Sequence, residues 1–228
     1  MEELLNMKMS KKRNMLYIVG GIAILIVLFG IHFYRTQTVW VESEPYQKGS
    51  KKRSKTLVVA YSRTGNTLGA AKEVAKYFDA DLLTIDAPQY SRDLKGQQLA
   101  AKHADEEVTT TPIQHDPVDL NRYDLIFLCS PTWWYRPAIP LFSFVENHDF
   151  ANKSVFLIMT GNSKKTDEKT GKFETLVQKK NGNLLDVLFV QRGRIYWQKT
   201  PEQVNNEVIN ALIEREKMWI QIVKSTEE

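Results

Sequence analysis

Apolar and polar residues alternate in blocks of two kinds from residue 55 onwards. Short continuous apolar runs, as at residues 57–60 and 125–129, are typical of strands buried on both faces of a sheet. Between these runs, apolar residues recur at helical spacing, as in Leu68, Ala71 and Val74. The alternation predicts a parallel sheet covered by helices on both faces, and therefore an α/β fold.

The pattern predicts five strands with helices between them. Helices are expected at residues 68–78, at 93–107 with only a thin apolar face, at 139–145 and at 173–180. The last helix begins with Thr200-Pro201-Glu202-Gln203, a capping box with proline at the first helical position, and carries Val204, Val208, Leu212 and Trp219. The predicted strands are residues 57–60, 81–85, 123–130, 155–159 and 184–190.

Residues 15–34 form an uncharged apolar stretch. At about 1.5 Å per residue it is long enough to cross a hydrocarbon core of about 30 Å, so it predicts a single-pass anchor in the cell membrane that contacts lipid. A cleavable signal peptide and a buried core helix are the alternatives, although the bulky Phe33-Tyr34-Arg35 does not suit a cleavage site. The predicted organisation is a basic tail at 1–14, a transmembrane helix at 15–34, a polar linker without regular structure at 35–54 and one domain at 55–228.

The positive charge of the chain is concentrated before this domain. Residues 1–54 contain nine Lys/Arg and four Asp/Glu, whereas residues 55–228 contain 22 and 23. The near-neutral domain therefore gives no support to nucleic-acid binding. Residues 11–13 place three cations beside the apolar stretch and only Arg35 adjoins its other end, which favours a domain outside the cytoplasm. The basic cluster at 51–55 favours the opposite orientation, because it suits anionic cytoplasmic lipid.

Three loops that follow strands carry the candidate ligand-binding residues. In an open parallel sheet, ligands bind outside the carboxyl ends of the strands. The first loop combines hydroxyls with residues that tolerate positive φ and precedes a helix N-terminus, which together suit a phosphate. The second loop offers three consecutive aromatics, and the third offers small polar groups that allow close approach to a ring edge. The candidates are Ser62, Arg63, Thr64, Gly65, Asn66 and Thr67 in the first loop, Pro131, Thr132, Trp133, Trp134 and Tyr135 in the second, and Thr160, Gly161, Asn162 and Ser163 in the third.

Each of these features also has a plainer interpretation. Residues 62–67 taken alone are typical of an ordinary strand-to-helix turn, and the aromatic loop is also typical of a core or a protein-contact patch. Residues 192–194, Arg-Gly-Arg, are either a plain turn or part of the site. The single cysteine, Cys129, is interpreted as a small buried hydrophobe. The histidines lack the spacing of metal ligands, so no metal site is predicted, and the Walker and paired-glycine motifs are absent.

Together, Ser-Arg-Thr-Gly-Asn-Thr, Pro-Thr-Trp-Trp and Thr-Gly-Asn-Ser resemble the three FMN-binding loops of the flavodoxin-like family. The resemblance covers about residues 55–224 and implies a three-layer sandwich with a five-stranded parallel sheet in the order 2-1-3-4-5. It also implies that residues 62–67 hold the phosphate of FMN, that residues 131–135 flank its isoalloxazine ring and that residues 160–163 line the other side. Many members with the Trp-Trp loop have glycine soon after it, whereas this chain has the bulky Tyr135 and Arg136.

The resemblance implies a membrane-anchored redox protein in which the flavin carries the chemistry, so no catalytic residue is assigned. Two roles stay open: an electron carrier to a partner protein, or an FMN-dependent NAD(P)H oxidoreductase that reduces a quinone-like acceptor. A third possibility belongs to another class, a flavin-free membrane-tethered protein that keeps the fold and binds a partner through the aromatic loop. Flavin absorption by the purified protein separates this last class from the other two.

Overall fold

The computed structural model describes residues 1–50, 53–194 and 196–225, and it divides the chain into two compact units, Met1–Val39 and Trp40–Glu228. The side chains of residues 3–6, 8 and 217–225 also lie outside this description. Three parts of the sequence predictions consequently fall outside the described residues. They are Lys51 and Lys52 of the predicted linker, the side chain of Trp219 and the chain end at 226–228.

The first unit is dominated by one long helix, α1, which spans Glu2–Thr38. It extends beyond the predicted 15–34 stretch at both ends and includes most of the basic tail and the beginning of the predicted linker. The helix is longer than the prediction because apolar residues mark only the part suited to lipid. No proline ends the helix on either side of that part. Within its segment Met9–Thr38, an 18-residue window has a mean hydropathy of 2.4, so the helix is long and apolar enough to cross a membrane, a property that signal sequences and core helices share.

Among the described residues, the second unit is built on a sheet of six strands. They are β1 Thr56–Tyr61, β2 Asp81–Ile85, β3 Leu125–Trp133, β4 Arg136–Pro137, β5 Ser154–Gly161 and β6 Asn183–Gln191. Five of them are parallel and lie in the order β2-β1-β3-β5-β6, which is the predicted 2-1-3-4-5 order. The sequence missed only β4, a two-residue strand that pairs antiparallel with β3.

Five α-helices accompany these strands in the part of the chain that the structure describes. They are α2 Asn66–Tyr77, α3 Leu94–Asp105, α4 Ile139–Glu146, α5 Asp167–Lys179 and α6 Pro201–Ser225. The predicted capping box before α6 is confirmed, because the Thr200 amide donates to Gln203 Oε1 at 2.9 Å and the Gln203 amide donates to Thr200 Oγ1 at 3.3 Å. The pair supplies acceptors for amides that a helix start otherwise leaves unpaired.

The core has two halves, one on each face of the sheet. In β1, Val59 and Tyr61 pack into the cluster formed with α3, α4 and α5, while Val58 and Ala60 pack into the cluster formed with α2 and α6. Successive side chains of a strand point to opposite faces, so both faces of β1 are covered by helices. This arrangement is the three-layer sandwich that the continuous apolar runs predict.

Residues 40–50 contain no helix or strand but are fastened to the domain, and we call them the strap. The Val41 amide donates to the Thr64 carbonyl at 2.9 Å, and the Tyr46 hydroxyl donates to the Ala80 carbonyl at 2.6 Å. Lys48 adds a partly buried ion pair with the carboxylate of β2. The polar composition of this segment indicates a linker, whereas its few specific side chains dock it along α2.

Candidate functional site

The three predicted loops meet at the carboxyl ends of neighbouring strands. We call this end of the sheet, with residues 62–67, 131–135 and 160–163, the ligand edge. Pro131 and Thr160 are paired in the β3–β5 ladder, so the second and third loops lie side by side. Both predicted loops begin inside a strand, because β3 continues to Trp133 and β5 to Gly161.

Thr160 joins the three loops through hydrogen bonds. Its hydroxyl oxygen lies 2.8 Å from that of Thr67 in a buried contact, and its carbonyl accepts from the Thr132 hydroxyl at 3.2 Å. A Cβ on Gly161 would lie only 2.8 Å from Thr132 Oγ1, so glycine allows these loops to approach. The Thr67 hydroxyl is therefore engaged inside the cluster, where it fixes the first loop against the third.

The first loop is shaped mainly by its own backbone. Gly65 has φ of +87°, a left-handed conformation that favours glycine, and it directly precedes α2. No described side chain caps this helix start, so its first amides are left for an external acceptor. The side chains of Ser62, Thr64 and Asn66 are partly exposed beside these amides, and Asn66 Nδ2 donates to Thr64 Oγ1 at 3.2 Å. This part of the loop fits a small anion.

Arg63 is turned towards the loop between β2 and α3. Its guanidinium donates to the carbonyls of Ser91 and Arg92 at 3.2 and 3.3 Å, and burial lowers the pKa of the guanidinium. The sequence places Arg63 among the phosphate-binding candidates, and the structure shows it joining two segments of the ligand edge.

The second loop is a tight hairpin between β3 and β4. Trp134 and Tyr135 occupy its turn with φ of 46° and 69°, and Trp133 pairs with Arg136. Two-residue hairpins favour turns with positive φ at both positions, for which Asn-Gly is preferred and bulky residues are strained. The bulky residues that the sequence shows in place of glycine thus occupy a conformation that surrounding contacts must hold.

These contacts orient the three aromatic side chains of the loop in different directions. Trp133 is half-buried and packs edge-on against Tyr61 and Tyr90, with ring centroids 5.6 and 5.0 Å apart. Trp134 is exposed, although its Nε1 donates to the Ala101 carbonyl at 2.7 Å. Tyr135 lies beneath Lys164, whose ammonium is 5.7 Å from the ring centroid. The aromatic loop is thus part core and part exposed surface.

Arg136 is the main site residue that the sequence did not assign. It is the largest fully buried side chain of the described residues, and its Nη2 donates to the Val108 carbonyl at 2.5 Å. Its guanidinium carbon lies 4.9 Å from the ring centroid of Phe142, and burial lowers the pKa of the guanidinium. In the sequence, the available signal was a charged residue directly after three aromatic residues. That signal does not reveal that the Arg136 side chain is buried.

A fourth segment, residues 192–199, adjoins the ligand edge after β6. The Arg192 amide donates to the Gly161 carbonyl at 2.7 Å, which attaches this segment to the third loop. Residues 192–194 therefore lie next to the third loop, and both interpretations of them, a plain turn and a part of the site, stay predictions. Asn162 and Ser163, the remaining candidates of the third loop, are partly exposed next to it.

A cavity of about 430 Å³ opens beside the first loop. Tyr61, Ser62, Arg63, Tyr90 and Trp40 of the strap are among its lining residues. The strap also approaches the first loop from another side, because a Cβ on Gly65 would lie 2.1 Å from the Val41 carbonyl. The only sequence signal of this approach was the presence of aromatic residues within a polar segment.

The remaining chemical candidates take no part in the ligand edge. The described residues contain no group of three or more His, Cys, Asp or Glu that could hold a metal ion. Cys129 is fully buried, and desolvation raises the pKa of its thiol, as expected for a small residue of the sheet core. Among the described residues, the site is therefore one of loops, hydroxyls and aromatic rings.

Comparisons with known proteins identify a family and solved structures that resemble the second unit. The family model described as flavodoxin matches residues 55–201. A flavoprotein from Lactobacillus acidophilus NCFM, crystallised in complex with FMN, is 23% identical over 60% of this chain and 93% of its own, with a TM-score of 0.52. A protein from Bacteroides uniformis described as a flavoprotein is 23% identical over 69% of this chain and 99% of its own, with a TM-score of 0.53. No curated protein matches the chain. Similarity at this identity shows the shared fold.

Proposed function

The chain belongs to the flavodoxin family, and from that premise we propose that its folded domain binds FMN and acts as a redox protein anchored to a membrane by α1. The observation that carries the proposal is the joining of three loops by Thr160, which bonds to both Thr67 and Thr132. This joining supports the proposal because it brings the start of α2 and the aromatic loop to one end of the sheet, as a phosphate tethered to a planar ring requires.

The residues of the ligand edge fit such a group. The amides at the start of α2 and the hydroxyls of Ser62 and Thr64 would hold the phosphate, and Gly65 supplies the left-handed turn that leads into these amides. Trp133, Trp134 and the 160–163 loop would flank the ring. Bound flavin supplies one- and two-electron transfer, and the protein contributes binding, orientation and a partly dry environment. Arg63 and Arg136 serve this site by holding the segments around it.

The partner of the site is either a redox protein or the pair of NAD(P)H and a quinone-like acceptor. An anchor favours partners and acceptors that are confined to the membrane, because confinement raises their effective concentration. The two roles differ in one measurement on the FMN-loaded chain. A reductase loses its flavin absorption when NADH or NADPH alone is added, whereas a carrier stays oxidised until a separate reductase is supplied.

The proposed topology puts the domain outside the cytoplasm, since the cations of residues 11–13 adjoin the apolar stretch on its N-terminal side. In sealed cells, added protease should then cleave the domain and leave α1 protected. A domain that resists the protease until the cells are lysed would place it inside.

FMN binding is tested on the full chain in detergent, loaded with FMN or riboflavin and desalted. We expect the two-banded absorption of oxidised flavin, and we expect Thr64→Ala to weaken FMN binding by about tenfold with little change for riboflavin. A hydrogen bond to a charged group contributes roughly 1.5–3 kcal/mol, and tenfold corresponds to about 1.4 kcal/mol.

Thr175→Ala is the matched control, because this exposed threonine of α5 bonds to the Gly171 carbonyl far along the chain from the loops. It should leave both affinities unchanged. A colourless wild-type protein would contradict flavin binding and favour the flavin-free interaction protein. Equal losses for FMN and riboflavin in Thr64→Ala would show that residues 62–67 are not the phosphate site.

A further inference from the structure

Exposed apolar side chains of the second unit are concentrated at the ligand edge. Its described residues include five large apolar side chains with high exposure, Leu94, Trp134, Tyr196, Trp197 and Ile213. Four of them belong to segments at the ligand edge, and only Ile213, on α6, does not. We call these four the edge tips. Single exposed apolar residues need no explanation, but four at one end of a sheet indicate a surface for interaction.

The segments that carry the edge tips are tied to the ligand edge. Trp134 is at the turn of the β3–β4 hairpin, and Tyr196 and Trp197 follow β6. Leu94 begins α3, two residues after Arg92, whose carbonyl accepts from Arg63 of the first loop. All four therefore emerge near the carboxyl ends of the parallel strands.

Hydrogen bonds hold the described residues of the loop after β6. Tyr196 is 73% exposed and Trp197 is 48% exposed, yet the Trp197 amide donates to the Arg194 carbonyl at 2.8 Å. Gly193 has φ of +104°, and a Cβ there would lie 2.5 Å from the Trp197 carbonyl. Arg192 Nη2 also donates to Gln198 Oε1 at 2.6 Å. The Trp197 ring also packs over Gly193, so Tyr196 is the more exposed of the two aromatic side chains.

A cation lies near each edge tip, either close to it in the sequence or over a neighbouring ring. Lys95 follows Leu94, Arg194 precedes Tyr196 and Trp197, and Lys164 lies over the ring next to Trp134. Exposed carboxylates are also present at this edge, among them Glu42, Glu44, Asp86, Asp93, Asp167, Glu168 and Glu202. Asp93 accepts from the Gly96 amide, and Asp167 is paired with Lys165. The edge is thus mixed in charge, and its distinguishing feature is aromatic and aliphatic tips with flanking cations.

The chain enters the second unit at this same edge. The strap begins at Trp40, and the Val41 amide donates to the Thr64 carbonyl of the first loop. The preceding helix, α1, ends at Thr38. Only residues 39 and 40 separate the end of α1 from Val41, so the connection along the chain between α1 and this hydrogen bond is short. Trp, Tyr and Lys/Arg are the residues that favour the headgroup region of a bilayer.

We propose that the domain rests its ligand edge on the lipid surface, with the edge tips inserted among the headgroups. The proposal depends on the membrane anchor of the proposed function and adds where the redox site faces. The partner is lipid, and the site opens towards the membrane phase. A lipid-soluble acceptor then reaches the ligand edge without crossing bulk water, which names the kind of electron acceptor that the domain fits.

The test uses the full chain in lipid nanodiscs of phosphatidylcholine and phosphatidylglycerol in a 3:1 ratio. A cysteine introduced by Arg194→Cys carries a fluorophore, and the native Cys129 is fully buried and does not compete for the label. Asp124→Cys, an exposed position before β3 at the opposite end of the sheet, is the matched control. Lipids with a nitroxide near the headgroup quench fluorophores that lie at the interface, where apolar tips reach about 5–10 Å deep.

We expect the probe at 194 to lose roughly half its intensity and the probe at 124 to keep its intensity, as expected for interfacial insertion of one edge only. Combining Tyr196→Ser with Trp197→Ser should restore the intensity at 194. Ile213→Ser, which changes the one exposed apolar residue away from the edge, should leave the quenching unchanged.

Three outcomes would overturn the inference. A chain that does not enter the nanodisc fraction refutes the anchor and this inference with it. A chain that enters but shows equal quenching at 194 and 124, or none at 194, refutes the docked edge and leaves the anchor intact. Quenching at 194 that persists without Tyr196 and Trp197 and is lost in Ile213→Ser refutes the assignment of the contact to the edge tips.

Discussion

The first loop and the β3–β4 hairpin lie at the same edge of the sheet but are held in shape by different means. In the first loop, Gly65 supplies the left-handed backbone, and the hydroxyls and amides that face outward belong to residues adjacent in sequence. In the hairpin, two bulky residues adopt positive φ, and contacts with Ala101, Val108 and Phe142 hold the segment.

The difference shows how one edge builds two halves of a binding site. An anion is recognised by backbone amides, so its loop needs a permissive residue and a helix start. A planar ring is recognised by side chains, so its loop needs large residues whose directions are fixed from outside. The first loop should therefore be sensitive to changes in glycine, and the hairpin should be sensitive to changes in the residues that support it.

The largest effect on stability is expected from Arg136→Ala. The change removes a fully buried side chain of β4, the second strand of the hairpin, and leaves the Val108 carbonyl without its donor. Large-to-small changes of this kind cost about 3 kcal/mol, which lowers the Tm of a protein of this size by roughly 6–12 °C. Thermal unfolding of the full chain in detergent measures it, with Arg194→Ala, an exposed position at the same edge, as the control. An unchanged Tm would show that the hairpin keeps its conformation without the contacts of Arg136.

A smaller loss of stability, confined to the other half of the site, is expected from Gly65→Ala. The new Cβ would meet the Val41 carbonyl at 2.1 Å, and φ of +87° disfavours alanine. Strain of this kind costs about 1–3 kcal/mol, and displacement of the loop should weaken FMN binding by more than tenfold.

Gly171→Ala is the control for this change. Gly171 is within α5 and a Cβ there would meet nothing within 4 Å, so alanine should stabilise the helix by up to about 1 kcal/mol. If Gly65→Ala keeps full FMN affinity, the first loop does not depend on its glycine, and the contrast between the two loops fails.

The smallest effect is expected from Trp134→Phe. Phenylalanine keeps an aromatic ring in the turn but removes the hydrogen bond to the Ala101 carbonyl. One such bond contributes about 1 kcal/mol, equivalent to roughly 2–4 °C in Tm. Tyr196→Phe, at a position that is 73% exposed, should leave the Tm unchanged and serves as the control. Equal Tm values for the two variants would mean that contacts to α3 do not fix the turn.

Much of the fold could be predicted because the signals are local and repeated. The run at 125–129 and its counterparts indicated strands buried on both faces, and the β2-β1-β3-β5-β6 order confirms the implied topology. The cap at Thr200 was visible from four consecutive residues. The short β4 strand was missed because it depends on a turn with positive φ at Trp134 and Tyr135. Tryptophan and tyrosine are not typical of such a turn.

The candidate site was predictable to a lesser extent. Parallel strands oblige the three loops to share one end of the sheet, so their meeting followed from strand order. The direction of each side chain did not follow, because it depends on contacts across long separations in sequence. Arg63 faces residues 91 and 92, and Thr67 faces Thr160.

The α/β alternation, the apolar N-terminal helix and the composition of the three loops follow from local sequence, because each depends on residues close together in the chain. The folded domain was needed to show that Trp133 packs inward while Trp134 is exposed, that Arg136 is buried and that the strap lies against the first loop. Burial and hydrogen-bond partners depend on which segments the folded sheet brings together. For Trp134 and Ala101, 33 residues apart, that meeting exists only in the folded domain.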